Sequence, residues 1–315
     1  MKTFFLVYTI IILSLYGKSQ DTLTIYYDKS WNKTSIDNSS FYRKAFKETR
    51  KKWIVTDYYK DGTIQMKGQY ICRRMKKKNG KFIYFYKNGE KKTENNYVNN
   101  IKMGLYQEWF DDGVIKLQGK YTNNDKDGMW VSYFKNSQIR EKGNYQQGKK
   151  MGEWNSFFIN GQINTSGSFQ EGKRIGKWSW FFENGQIGAQ EIYKNGDMIS
   201  ANYWNSTGEV ADSSQANKKS IFPGGLNKLL LFLSENTKYP KVAQRNNIQG
   251  RVFVQFVVNK KGNVTNVKIL KGVNPDLDAE ALRVVKLMPN WIPAKQHNRL
   301  VKISYVVPIK FKLFR

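Results

Sequence analysis

A step of 24 residues recurs along the middle of the chain and limits its fold more than any other feature. Gly80, Gly104, Gly128, Gly152 and Gly176 fall on it, as do Phe82, Tyr106, Trp130, Trp154 and Trp178. Phe85, Trp109, Tyr133, Phe157 and Phe181 keep the same spacing, and so do Tyr97, Tyr121, Tyr145, Phe169 and Tyr193. A period this strict means an array of equivalent units, each burying its apolar face against its neighbours. Within a unit an aromatic run meets Asn88-Gly89, Asp112-Gly113, Asn136-Ser137, Asn160-Gly161 or Asn184-Gly185, and then Ile115, Ile139, Ile163 or Ile187. Asn-Gly between apolar runs signals a hairpin, and the reading is a type I′ turn with positive φ at both central residues. Gly148, Gly172 and Gly196 mark a second turn, so successive hairpins join into one antiparallel meander. At about 4.8 Å per strand, each two-strand unit advances the sheet by roughly 10 Å.

The pattern reaches back to Tyr58, Asp61-Gly62 and Tyr70, where a three-residue expansion in the basic stretch 73–78 is expected to bulge from the sheet. It closes with Tyr203-Trp204 and Gly208, which bounds the array at residues 58–208. Residues 21–57 are strand-like but off period and read as a β cap, because a terminal repeat must close an open sheet end. Residues 209–220 read as a short polar linker. These units resemble the bacterial variant of the MORN repeat, with its Gly-x-Trp, aromatic pair, Asn-Gly and Tyr-x-x-Gly-Lys pattern. The resemblance implies an architecture and no particular ligand.

Residues 221–315 carry a different signal. Val252, Val254, Phe256 and Val258 alternate with Phe253, Gln255 and Val257, the period of a strand with a buried face. Asn259-Lys-Lys-Gly262 closes a hairpin, with Gly262 supplying the positive φ, and the return strand runs over 264–270. Asn274 or Asp276 caps a helix that Pro289 ends, and its apolar face of Leu277, Ala281, Leu282, Val284, Val285 and Met288 must cover a sheet. In the last strand Val301, Ile303, Tyr305, Val307, Ile309, Phe311 and Leu313 share one side. Lys302, Ser304, Pro308, Lys310 and Lys312 share the other. Proline has no N–H for a ladder, so Pro308 makes this strand an edge, open to a partner strand unless its lysines protect it.

This unit resembles the C-terminal domain of TonB-type energy transducers. The likeness rests on Phe222-Pro-Gly-Gly225, Tyr239-Pro240, Ala243, Ile248-Gln-Gly250, Val257-Val258 with Gly262 and Val264, and Leu277-Asp278 with Glu280-Ala281. It continues through Met288-Pro289 with Trp291 and Pro293 to Pro308-Ile309 with Phe311. The resemblance implies a periplasmic partner of outer-membrane transporters that adds a transporter peptide as a strand. It implies peptide contacts at Ser304, Tyr305, Val306, Val307, Ile309, Lys310 and Lys312, flanked by Tyr239, Pro240, Gln249 and Gly250. It also implies inner-membrane motor proteins as partners, yet all six prolines lie at or after Pro223, so the proline-rich spacer of a full transducer is missing. The expected fold is therefore mostly β: a single-layer antiparallel hairpin array followed by a small α+β domain.

Composition and charge bound the function. Residues 1–20 read as a secretory signal, Lys2 followed by an apolar run of residues 4–16 too short for a comfortable span, which needs about 20 residues. An envelope or periplasmic location follows, with inner-membrane anchoring if the signal is uncleaved. Net charge is +28, and residues 221–315 hold 17 Lys and Arg against 4 Asp and Glu, a pull toward polyanions. In an exported protein those are cell-wall polymer, lipid head groups or acidic peptide rather than nucleic acid. A scaffold reading follows from this, in which the repeats bind membrane or wall without energy transduction. One cysteine, Cys72, and one histidine, His297, leave no Cys–His pair or cluster, and no cofactor or enzymatic activity is expected. His297 reads as a solvated loop residue, and Asp276, Asp278 and Glu280 as helix-capping acids.

Overall fold

The computed structural model describes residues 22–313, so the signal read at residues 1–20 lies outside the described residues. The chain divides into two compact units, Met1–Gln138 with Tyr145–Gly148, and Ile139–Asn144 with Lys149–Arg315.

The first unit is a meander of β1 (Thr22–Tyr27), β2 (Phe41–Thr49), β3 (Lys52–Tyr59), β4 (Ile64–Tyr70), β5 (Gly80–Phe85), β6 (Lys91–Val98), β7 (Ile101–Trp109), β8 (Ile115–Thr122) and β9 (Asp125–Tyr133). Each strand pairs antiparallel with the next. Its core holds Ala45, Val55, Met66, Tyr70, Met75 and Phe82. Arg43 lies beside it in a two-pronged pair with Asp57, Nε to Oδ1 at 2.6 Å and Nη2 to Oδ2 at 2.8 Å. The basic stretch 73–78 leaves the ladder but folds back rather than bulging away. Met75 is buried, and Lys78 lies over the rings of Phe82 and Tyr97.

The second unit begins with β10 (Ile139–Gln146), then β11 (Lys149–Phe157), β12 (Ile163–Gln170), β13 (Lys173–Phe181), β14 (Ile187–Lys194) and β15 (Asp197–Tyr203). One packing device recurs in both units. Trp130, Trp154 and Trp178 are buried flat against Gly119, Gly143 and Gly167, where an added Cβ would sit only 2.3, 2.2 and 2.1 Å from the indole. Each indole Nε1 donates to a backbone carbonyl ten residues earlier, Lys120, Asn144 or Ser168, at 3.1–3.2 Å. Above each ring lies a cation: Lys126 at 4.2 Å, Lys150 at 3.7 Å and Arg174 at 4.8 Å from the centroid. An indole between glycine backbone and a cationic side chain supplies, within one sheet, burial that a layered core would otherwise provide.

The turns correct the sequence reading. At Asn88-Gly89 and its equivalents only the second residue has positive φ, 83–89° at Gly89, Gly113, Gly161 and Gly185 and 65° at Ser137. Gly89 N donates to the Tyr86 carbonyl and Tyr86 N to that of Glu90, a type I turn closed by a bulge residue. The Asn or Asp side chain instead accepts the backbone N–H two residues on, at 3.1–3.3 Å. The two-residue turns with positive φ at both positions are the other ones: Asn99-Asn100, Asn123-Asn124, Gln147-Gly148, Glu171-Gly172 and Asn195-Gly196.

The C-terminal α+β domain is a three-stranded sheet in the order β17, β16, β20 (Val264–Lys271, Gly250–Val258, Ile303–Phe311), with α3 (Pro275–Lys286) on one face. Asn274 caps α3 by accepting from Leu277 N at 2.9 Å. Glu280 is not a cap: it accepts from Lys238 N and from Arg283. Two helices, α1 (Gly225–Asn236) and α2 (Lys241–Arg245), and a small hairpin of β18 (Ala294–Gln296) and β19 (Arg299–Val301) were not anticipated from sequence. The core is aliphatic, with Val252, Val254, Val258, Leu277, Ala281, Val284 and Val285 sealed from solvent around Phe256. Gly262, at φ 88°, does more than turn the chain, because a Cβ there would lie 2.1 Å from the Trp291 carbonyl oxygen.

Candidate functional site

β20 pairs with β16 over its whole length, from Gly250 opposite Phe311 to Val258 opposite Ile303, and among the described residues nothing pairs along its other side. Tyr305, Val307 and Ile309 turn toward the core, while Ser304, Val306, Pro308 and Lys310 are exposed. In an antiparallel strand the N–H and C=O of one residue point the same way, and successive residues alternate. Leu313 N donates to Gln249 Oε1 at 2.9 Å, on the β16 side. The even-numbered residues therefore aim their backbone groups at the open side, where the missing N–H of Pro308 costs the native ladder nothing. Ser304, Val306 and Lys310 offer free backbone donors there, interrupted once by Pro308.

Tyr239, Pro240, Gln249 and Gly250 gather at the far end of β20, on its β16 side. The Tyr239 hydroxyl donates to the Ile248 carbonyl at 2.6 Å, and its ring meets Phe311 edge-on at 5.7 Å. Pro240 starts α2. These residues brace the strand from behind, and Lys312 follows its end. At the other end a groove of about 560 Å³ is lined by Ile303 and Tyr305 with Lys218, Lys219 and Lys295. Residues 209–220 are held rather than free: Lys218 bridges to Lys295 and Ala211 N donates to the Tyr203 carbonyl. The Tyr305 hydroxyl donates to the Ser220 carbonyl at 3.1 Å.

His297 is not solvated. It forms the turn of the β18–β19 hairpin with Asn298, φ 51° and 54°, and its ring stacks on Trp180 at 3.9 Å. Nδ1 lies 2.6 Å from Glu191 Oε1, a carboxylate 1% exposed that also accepts from the Tyr193 and Tyr203 hydroxyls at 2.5 and 3.1 Å. Burial works against the Glu191 charge, but the bonds from His297, Tyr193 and Tyr203 carry it below the usual carboxylate range. Burial pushes the Tyr203 phenol up to about 12. Asn298 Nδ2 donates to the Trp204 carbonyl at 2.7 Å. A signal for this docking was present in the sequence: Glu191 stands where the period places Gly119, Gly143 and Gly167, and Trp180 where it places Ser132 and Ser156.

Residues 235–313 match the family model of the Gram-negative bacterial TonB protein C-terminal, and residues 126–147 and 174–195 match the MORN repeat variant. The chain thus joins a TonB C-terminal domain to MORN-variant repeats. It is 32% identical over 108 residues to Protein TonB of Helicobacter pylori strain ATCC 700392 / 26695, covering 34% of this chain and 38% of that protein. Protein TonB of strain J99 / ATCC 700824 gives the same identity, covering 39% of its length. The chain therefore spans under two fifths of the length of these relatives. Among solved structures it is similar to the NMR solution structure of Helicobacter pylori TonB-CTD. That likeness has 29% identity, covers 30% of this chain and 88% of that one, and has a TM-score of 0.23. Among the described residues no helix is long and apolar enough to cross a membrane.

Proposed function

We propose that this chain is an envelope binding protein with a TonB-like role in transport, whose C-terminal domain captures a peptide strand of an outer-membrane transporter on the open side of β20. The observation that carries the reading is the unpaired side of β20, nine residues long, with the backbone groups of Ser304, Val306 and Lys310 facing outward. Strand addition satisfies such groups with main-chain bonds and tolerates varied side chains in the partner. Lys310 and Lys312, with Lys218, Lys219 and Lys295 at the other end, favour an acidic partner and speed its encounter. The segment 235–313 that resembles TonB contains the whole of this strand.

Titration of the full chain with an extended transporter-derived peptide, followed by amide chemical shifts, tests the reading. Perturbations are expected at residues 304–312, and a peptide with a central proline should not bind. Val306→Pro removes a second outward donor without touching the β16 ladder and should abolish binding. Shifts confined to α3, or none, would remove the reason for a transporter partner.

A further inference from the structure

Arg299, in β19, sends its guanidinium into the last repeats. Nη1 donates to the carbonyl oxygens of Phe181 at 2.8 Å and Asn164 at 3.2 Å, and to Asn164 Oδ1. Nε is buried and has no hydrogen-bond partner among the described residues. All the acceptors given to this charge are neutral. Arg43 provides the internal contrast: burial works against it as well, yet its two bonds to Asp57 carry its pKa above the usual guanidinium value. At Arg299 burial acts alone and pulls the guanidinium down to about 10. A half-buried cation whose acceptors among the described residues are all neutral is costly to hold, and an arriving anion makes the arrangement more favourable.

Space for that anion is adjacent. Arg299 lines a groove of about 580 Å³ walled by Phe158, Phe181 and Phe182 from the repeats and by Leu300 and Lys302 from the C-terminal domain. The acid at its rim, Glu183, is engaged by Lys260 at 3.3 Å. We propose that this groove is a second binding site, which takes an acidic peptide: a carboxylate bonded to Arg299, with the apolar residue beside it held between the phenyl rings. Two features select this ligand. Nη2, the arm not engaged by Phe181 or Asn164, can donate to a carboxylate, and a bare inorganic anion would leave three aromatic walls uncovered. The net charge of +28 draws acidic segments to the surface in the first place. The site does not depend on strand addition at β20. It gives the repeats a share in recognition, because its aromatic wall comes from them.

The test is calorimetric titration of the full chain with acetyl-Leu-Asp-Phe-amide and its neutral counterpart acetyl-Leu-Asn-Phe-amide, both too short for a strand ladder. The acid is expected to bind at least about tenfold more tightly than the amide. Arg299→Gln should erase that ratio. Because Arg299 also holds two backbone carbonyls, Phe158→Ala is the companion variant: it should weaken both peptides and preserve the ratio, with an unaltered thermal melt. Val306→Pro, which tests the β20 reading, should leave the ratio intact. Equal binding of acid and amide by the native chain, binding of neither, or loss of the ratio in Val306→Pro would overturn the proposal.

Discussion

The repeats and the C-terminal domain solve the burial problem in opposite ways. The domain has layers, so α3 covers the sheet and aliphatic side chains of ordinary size fill the space between them. The repeats have one sheet, and each indole meets glycine backbone and the cationic group of a lysine or arginine. The difference lies in what each can tolerate. A layered core suffers most from lost atoms, whereas a ring lying on backbone suffers from a single added one.

Removing atoms from the layered core gives the largest expected effect. Phe256→Ala, at a ring 1% exposed, should cost about 3–5 kcal/mol in denaturant unfolding. A loss below about 1 kcal/mol would mean the ring fills no essential space. The converse experiment belongs to the repeats. Gly167→Ala, ordinarily a mild change, should cost about 1–3 kcal/mol because its methyl would fall 2.1 Å from the Trp178 ring. If the alanine variant is as stable as the native chain, the indole is not seated on the glycine.

Glu191 sharpens the contrast, since it fills the glycine slot of the final repeat. Its folded pKa is depressed, so its contribution is fully present above the ordinary glutamate value of about 4.3 and is lost as pH falls through the lower folded value. Glu191→Gln should cost about 1 kcal/mol at pH 7. The gap from the native chain should then close in urea titrations on acidification. A gap independent of pH would show that the charge is not what matters there. The smallest effect is expected from the cation cover. Lys150→Met keeps an unbranched apolar side chain and removes the ammonium that lies over Trp154, at about 0.5–1 kcal/mol. A loss above about 2 kcal/mol would make that ammonium a principal support of the repeat.

Much of this was legible because the sequence repeats. The indole positions, the order of the hairpins and the alternation of β20 follow from spacing alone. The turn chemistry was misplaced, because Asn-Gly serves both a type I′ turn and a type I turn with a bulge. Which one forms depends on how many residues the flanking strands leave unpaired. The α1 segment, Gly-Leu-Asn-Lys-Leu-Leu, carries no capping side chain at Gly224 and went unseen for that reason. His297 was misread because its partners, Trp180 and Glu191, lie more than a hundred residues away in the chain.

Spacing along the chain accounts for the local structure: a period of 24, a strand alternation of two, a helix with an Asn cap, and a proline that fits only an open edge. Each follows from interactions between residues close in the chain or equivalent across repeats. The packing of distant segments alone brings His297 onto Trp180 and Glu191, carries Arg299 to the carbonyls of Asn164 and Phe181, and leaves that guanidinium beside an aromatic groove with no anion among the described residues. Those contacts depend on which distant surfaces meet and on the loss of water between them; the period marks Glu191 and Trp180 as exceptions but does not name their partners.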